Sequence, residues 1–396
     1  MSVAQRFLKF SSFAIVLAIS YLFPRRESEW VFIAGEGDRF AENSKYLFLY
    51  CIKERDEISA SWIGTSEGVV SELRESGFSA YKHDSILGRF RLLRAGVAIE
   101  THGPQFGKNL GGATVIDTHH GNALKKMGTD VSEANLGVMK RLKRYLWDSF
   151  VGPSNFVVTN IGTPLETFRK AKNLDSSKFI IAPYPRLDVF YQEDKNFNIR
   201  TCTQELDKIS SMSEQHDIIF YTPTWRNAFG KENGFSLSNI KPNFEKIDRL
   251  LKQRDSFMYV SSHPHDELDI PYDQYERVFL LENGDDLYPF LQYCDILITD
   301  YSSIFYDFTF EDKPILFYAP DLEQYKSTRG LYFDYEEHVP GPVSESTDEL
   351  CADLESALNG IDRYEKDRAE LQEEFFTDCY EYPSYDAFSS ICDEIS

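Results

Sequence analysis

Short apolar runs that alternate with helical segments set the class of fold open to this chain. Trp30 to Ala34 reads as a first strand, Gly35 and Gly37 allow a tight turn after it, and residues 41–55 then carry a helical pattern. Ile58 to Ile63 is again strand-like, and further strands are expected at 95–101, 114–119 and 156–160. The rhythm restarts at Ile218 to Tyr221 and continues at 257–261, 278–281, 295–299 and 314–318. Strands alternating with helices build parallel sheets covered on both faces. Two such runs, parted by a polar segment near 191–215, predict an α/β architecture of two doubly wound, Rossmann-like domains facing a cleft. At roughly 100–200 residues per domain, 396 residues suit two or three. The expected division is an N-terminal segment 1–26, a first domain 27–200 and a second 201–396. In such sheets ligands bind beyond the carboxyl ends of the strands.

Charge sets the N-terminal segment apart. Residues 1–26 carry Arg6, Lys9, Arg25 and Arg26 without an acid, around the apolar run Phe10 to Phe23. That run is shorter than the roughly 20 residues that span a bilayer. Pro24-Arg25-Arg26 follows it, not a small-residue cleavage site. A membrane-associated helix is expected, lying in or dipping into the cytoplasmic leaflet with its basic flanks on lipid headgroups. A second basic island, residues 122–147, sets Lys125, Lys126, Lys140, Arg141, Lys143 and Arg144 against Asp130 and Glu133. Leu136, Met139, Leu142 and Leu146 recur there at helical spacing. Both segments stand out in a chain with 42 Lys+Arg, 64 Asp+Glu and a net charge of −22. That acidity excludes a general nucleic-acid binder, which needs a basic footprint. Residues 344–396, with sixteen acids and three bases, read as a solvated helical surface. The six cysteines are scattered without a Cys-x-x-Cys pair, which points to reduced thiols in a cytoplasmic compartment.

Polar motifs fall at the strand ends. After Thr114 to Asp117 comes Thr118-His119-His120-Gly121-Asn122-Ala123-Leu124-Lys125-Lys126. A histidine beside glycine can face an open cleft with a pKa suited to proton transfer, although a lone histidine is more often structural. Arg226, in Pro223-Thr224-Trp225-Arg226, suits either a phosphate clamp or a surface ion pair. Ser262-His263-Pro264-His265 has a spacing that imidazole metal ligands use, but no carboxylate-plus-histidine pattern completes a site. Asp295 to Asp300 reads as a buried strand, and Tyr301-Ser302-Ser303 opens a helix through Asp307-Phe308. Free N–H groups at such a start suit a diphosphate, an ordinary serine cap being the alternative. Asp307, one turn in, is expected to accept hydrogen bonds from sugar hydroxyls.

Together these segments resemble the CDP-glycerol glycerophosphotransferase family, the primases and polymerases of wall teichoic acid synthesis. The resemblance rests on His120-Gly121 with Leu124-Lys125, Pro223-Thr224-Trp225-Arg226, His263-Pro264, and Thr299-Asp300-Tyr301-Ser302-Ser303 through Asp307-Phe308. Lys313-Pro314 to Phe317-Tyr318, Arg329-Gly330-Leu331-Tyr332-Phe333-Asp334-Tyr335 and Pro340-Gly341-Pro342 continue it. Asn43-Ser44-Lys45-Tyr46, Thr101-His102-Gly103 and Tyr184-Pro185-Arg186-Leu187-Asp188 look like family positions as well. The likeness spans roughly residues 20–345, in the expected order. Asn122-Ala123 stands where the family usually has Thr-Pro, and Leu187 where it usually has Asn.

The resemblance implies a GT-B-like phosphotransferase that works at the cytoplasmic face of the membrane. Its donor would be CDP-glycerol or a related CDP-polyol, held mainly by the second domain, and its acceptor lipid-linked. His120 would be the base on the acceptor hydroxyl. His263, Ser302 and Ser303 would hold the diphosphate, Arg226, Arg329 or protonated His263 would meet charge on the leaving CMP, and Lys125 and Asp307 would complete the substrate contacts. No motif indicates a cofactor, and a divalent cation that screens the diphosphate stays open. The competing readings are a nucleotide-sugar glycosyltransferase on the same fold and a non-catalytic, membrane-docked relative. A zinc hydrolase using His119, His120, His263 and His265 is a third.

Overall fold

The computed structural model of the protein describes residues 15–103, 106–126, 154–160, 174–224, 240–261, 270–282, 284–376 and 381–395. Every apolar run read as a strand forms one. They are β1 (Arg26–Phe32), β2 (Ser59–Gly64), β4 (Ala95–Glu100), β5 (Thr114–Asp117) and β6 (Phe156–Thr159) in a first sheet. The second sheet holds β8 (Ile218–Thr222), β9 (Phe257–Val260), β10 (Val278–Leu280), β11 (Ile296–Thr299) and β12 (Ile315–Tyr318). Three more strands escape the sequence: β3 (Ala80–Lys82), β7 (Phe179–Ile181) and β13 (Val343–Ser344). Each lies at a sheet edge and is too short to show a period.

The first sheet runs β3-β2-β1-β4-β5-β6-β7 and the second β10-β9-β8-β11-β12-β13. The described pairings within both sheets are parallel. The central strands β8 and β11 are buried throughout, as parallel strands covered on both faces must be. In each sheet the winding reverses between the first strand and the fourth, at β1/β4 and at β8/β11. Such switch points open a crevice beyond the strand ends.

The two domains are joined through buried charge. Arg186 places its guanidinium on Asp307 Oδ2, with Nη2 at 2.6 Å and Nε at 2.9 Å, and Tyr288 donates its hydroxyl to the same oxygen. Burial lifts the Asp307 carboxyl above its ordinary value, and Arg186 and Tyr288 pull against that rise. A second pair sets Lys45 Nζ 2.7 Å from Asp286, which also accepts from the Tyr46 hydroxyl at 2.9 Å. Asp285 beside it accepts from the Phe40 amide and from both Nε and Nη2 of Arg200. Leu124, Tyr184 and Leu187 of the first domain share one apolar cluster with Phe290, Tyr301 and Phe305 of the second.

The acidic C-terminal stretch differs from the expected solvated surface. Its last helix, Pro383–Ile395, returns to the first domain and buries Ala387, Phe388 and Ile391 beside Trp30, Phe32 and Tyr50. Most acids of the stretch stay at the surface, with Asp386 an exception, so composition alone hides this apolar face. Asp188 fastens the start of the helix, accepting from the Ser384 amide at 2.8 Å.

At the other end, residues 15–22 are helical. Among the described residues no helix is long and apolar enough to cross a membrane. Arg25, expected on lipid headgroups, turns inward. Its guanidinium donates to the carbonyls of Ser20, Leu92, Ala95, Asn109 and Gly111, and burial pushes its pKa down to about 10. Ile15, Ile19 and Leu22 are exposed on that helix. Most of the second basic island, from residue 127 on, lies outside the described residues.

Burial pushes the Asp188 carboxyl up to about 7, partly offset by the hydrogen bonds from Ser384. A raised carboxyl stabilises the fold below its unfolded pKa and loses that contribution as pH climbs through the folded value. Stability should therefore fall between about pH 4 and pH 7, by up to about 1.4 kcal/mol per unit. Asp188→Asn should flatten this slope in urea unfolding curves taken across that range. An unchanged slope would mean that another group sets it.

Candidate active site

The first turn of the helix Glu42–Glu54 organises the cleft wall of the first domain. Asn43, fully buried, donates through Nδ2 to the carbonyls of Thr118 (2.9 Å) and His119 (2.8 Å), and its Oδ1 accepts from the Arg186 amide at 3.2 Å. One side chain thus ties the histidine loop to the segment that carries the interdomain arginine. His119 has φ 53°, and its amide donates to Asp117 Oδ1 at 2.9 Å. Its ring Nδ1 lies 2.9 Å from the Gly121 carbonyl, so His119 is a buried brace for the turn. His120 is thereby directed outward and is exposed.

The His120 ring lies flat on His102, with centroids 4.8 Å apart and planes within 5°. His102 Nδ1 is 3.5 Å from Glu42 Oε2, an oxygen that also accepts from the Thr101 hydroxyl at 2.6 Å. Burial works to raise the Glu42 carboxyl, but His102, the Thr101 hydroxyl and His120 outweigh it and hold it below its ordinary value. Glu42 has φ 63°, so two non-glycine residues with left-handed backbone, Glu42 and His119, flank this wall. Strain of that kind costs about 1–3 kcal/mol per residue and collects at functional sites.

The second domain supplies the facing wall from the ends of β8 and β11, its own switch point. Asp300 accepts from the Thr224 amide with both oxygens, at 2.8 and 3.1 Å, and so sets the direction in which the chain leaves β8. The Tyr335 hydroxyl donates to the Asp300 carbonyl at 2.8 Å. Ser302 and Ser303 follow, at the start of the helix Ile304–Phe308. Gly121 meets them across the cleft. A Cβ built on Gly121, whose φ is 134°, would lie 2.7 Å from Ser303 Oγ and 3.0 Å from Arg186 Nη2, so glycine permits the approach. Beyond it the loop pairs with the second domain: Lys125 bridges antiparallel to Leu331, Lys126 N donates to Gly330 O and Tyr332 N to Leu124 O.

Of the residues singled out by sequence, the structure brings His120, Lys125, Ser302, Ser303 and Arg329 to this seam. Arg226 and His263 lie outside the described residues. Asp307 is placed differently from the expectation. It is fully buried, and its Oδ2 is held by Arg186 and Tyr288. The helix it belongs to turns its carboxylate toward the other domain instead of the open cleft. Glu42 was missed, and no pattern around it in the sequence signals a role. Asn43, His102 and Arg186 lie in stretches that looked like family positions, but their functions emerge only from the contacts.

The model of the family described as CDP-glycerol:poly(glycerophosphate) glycerophosphotransferase matches residues 15–381. The chain is 26% identical over 359 residues to the teichoic acid poly(glycerol phosphate) polymerase of Bacillus spizizenii, covering 88% of each chain. It is 26% identical over 386 residues to the teichoic acid glycerol-phosphate transferase of Staphylococcus aureus, covering 92% of each. The wall teichoic acid polymerase TagF, in a variant soaked with CDPG, superposes with a TM-score of 0.77 at 20% identity, over 99% of this chain and 97% of that one. The motif-based resemblance and the two-sheet, GT-B-like fold agree with these matches. The departures Asn122, Ala123 and Leu187 are all buried, so they pack behind the histidine loop and do not line the open cleft.

Asn43→Leu removes a donor shared by two buried carbonyls and the acceptor for the Arg186 amide. It should lower the unfolding free energy by about 1–3 kcal/mol, read from urea unfolding. Wild-type stability in this variant would show that water or other donors replace Asn43.

Proposed function

The chain belongs to the CDP-glycerol:poly(glycerophosphate) glycerophosphotransferase family, and on that premise we propose that it transfers glycerol phosphate, or a related polyol phosphate, from a CDP-activated donor to an acceptor hydroxyl and releases CMP. One observation carries the reading. Gly121, directly after exposed His120 in the first domain, meets Ser303 of the second beyond the carboxyl ends of both sheets. A base and a diphosphate-binding serine must face each other in this way for a hydroxyl to attack a bound donor.

The acceptor hydroxyl gives its proton to His120 while its oxygen forms the new bond to the phosphorus that bears the polyol. The bond from that phosphorus to the bridging diphosphate oxygen breaks, and CMP leaves with the electron pair. Such a transfer asks for positioning and charge neutralisation more than for covalent help. Ser302 and Ser303 hold the diphosphate, and Arg329, with Arg226 and His263, meets the charge on the leaving group. Lys125, on the seam between the domains, attracts the phosphate of the acceptor. Asp307 acts at a distance, by fixing the domain that carries the serines.

The acceptor is lipid-linked, and the protein works at the cytoplasmic face of the membrane. The N-terminal helix supports this with the exposed apolar side chains of Ile15, Ile19 and Leu22, and Arg26 lies close behind them in sequence. The relatives' names and the CDPG soak of TagF support the donor class.

CMP release from CDP-glycerol, in detergent and with a lipid-linked glycerol-phosphate acceptor, tests the reading. His120→Ala should lower turnover at least about 100-fold and leave CDP-glycerol binding within about twofold, as measured by calorimetry. Ser303→Ala should weaken that binding instead. Failure to bind any CDP compound would sink the proposal. Gly121→Ala, which drives a methyl group onto Ser303 Oγ, should cut kcat/KM about 100-fold without loss of the folded state. Full activity in that variant would show that the two walls need not approach so closely.

A further inference from the structure

The mechanism above makes no use of Glu42, yet three features aim this residue at the base. Its backbone adopts a left-handed conformation at the start of a helix, where most residues would not. That conformation brings the carboxylate to the Thr101 hydroxyl at 2.6 Å and to His102 Nδ1 at 3.5 Å. The His102 ring in turn lies parallel to His120, its plane 5° away. His119 also touches the His120 ring, with centroids 4.3 Å apart, but is itself held by the Gly121 carbonyl and buried.

We infer that Glu42 and His102 are positioning residues for His120: Glu42 anchors His102, and the flat face of His102 holds the His120 imidazole in the orientation that takes the acceptor proton. The inference rests on the assignment of His120 as the base. The imidazolium formed at His120 carries a positive charge into the field of the Glu42 carboxylate, which is held below its ordinary pKa, against burial, by His102 first and then by the Thr101 hydroxyl and His120. Proton transfer to His120 is thus favoured by a charge that never touches the substrate. Arg39 acts on the same carboxylate through its charge, from the segment just before the helix.

Glu42→Gln keeps an oxygen for the Thr101 hydroxyl and removes the charge. In the CMP-release assay with CDP-glycerol and the full chain, kcat should fall about ten- to hundredfold, with KM for CDP-glycerol within about twofold and an unchanged melting temperature. Glu42→Asp should recover part of the loss. His102→Phe, which keeps a flat ring but cannot pair with Glu42, should reproduce the Glu42→Gln defect. Combined with His120→Ala, the Glu42→Gln change should take little further from the residual rate, since residues acting as a unit are not additive. Wild-type kcat in both Glu42→Gln and His102→Phe, or a full additional loss in the double variant, would overturn the inference. If His120→Ala itself turns over normally, the base assignment falls first. A crippled His120→Ala beside a fully active Glu42→Gln removes only the role given to Glu42.

Discussion

The pairing of Arg186 with Asp307 is the interaction on which the rest of the cleft depends. Each group alone would be an isolated charge in an apolar interior, and removing one partner of such a pair typically costs about 3–5 kcal/mol. Compared with a well-packed apolar contact the pair adds little net stability. What it defines is placement, because a guanidinium fork and a carboxylate satisfy each other over a narrow range of distance and angle. Arg186 sits on the segment that Asn43 ties to the histidine loop, and Asp307 on the short helix that begins at the serines. The ion pair therefore sets the spacing between the histidine loop and the serines.

The same economy runs through the helix Glu42–Glu54. Within four residues its first turn presents Glu42 to His102, Asn43 to the histidine loop and Lys45 to Asp286 of the second domain. Lys45 has no contact with water, and burial pulls its pKa down against the pull of Asp286. One rigid element thus couples the position of the histidine loop to the position of the opposing domain. A buried helix start is normally a liability, since its amides need partners. Here the side chains of that turn satisfy groups on several other segments at once.

Much of this was legible in the sequence, and the misses have physical causes. The central strands announced themselves because parallel strands covered on both faces must be largely apolar, as Ile218 to Tyr221 and Ile296 to Ile298 are. The edge strands Ala80–Lys82 and Val343–Ser344 span three and two residues, which no periodicity can reveal. That His120 and the two serines stand just beyond strand ends was readable because a strand, a turn and a polar residue follow one another locally. Asp307 misled because local sequence places it one turn inside a helix but does not say which way the helix faces. Glu42 was invisible for a related reason. Its partners Thr101 and His102 are distant in sequence, and an acidic residue in the first turn of a helix is ordinary. The face of the last helix that carries Phe388 was masked by acids around it.

That last helix has a consequence for how the molecule comes into being. Phe388 and Ile391 complete a core whose members include Trp30, Phe32 and Tyr50, which are made before any of the second domain. Domains tend to fold as units in the order in which they leave the ribosome. In this chain the first domain leaves before the second and lacks part of its interior until the helix Pro383–Ile395 follows. The half of the cleft that bears the histidines is therefore sealed only after the half that bears the serines has been made. A ribosome that stalls anywhere in the second domain leaves behind a first domain with an open apolar face, and never an independent half-enzyme.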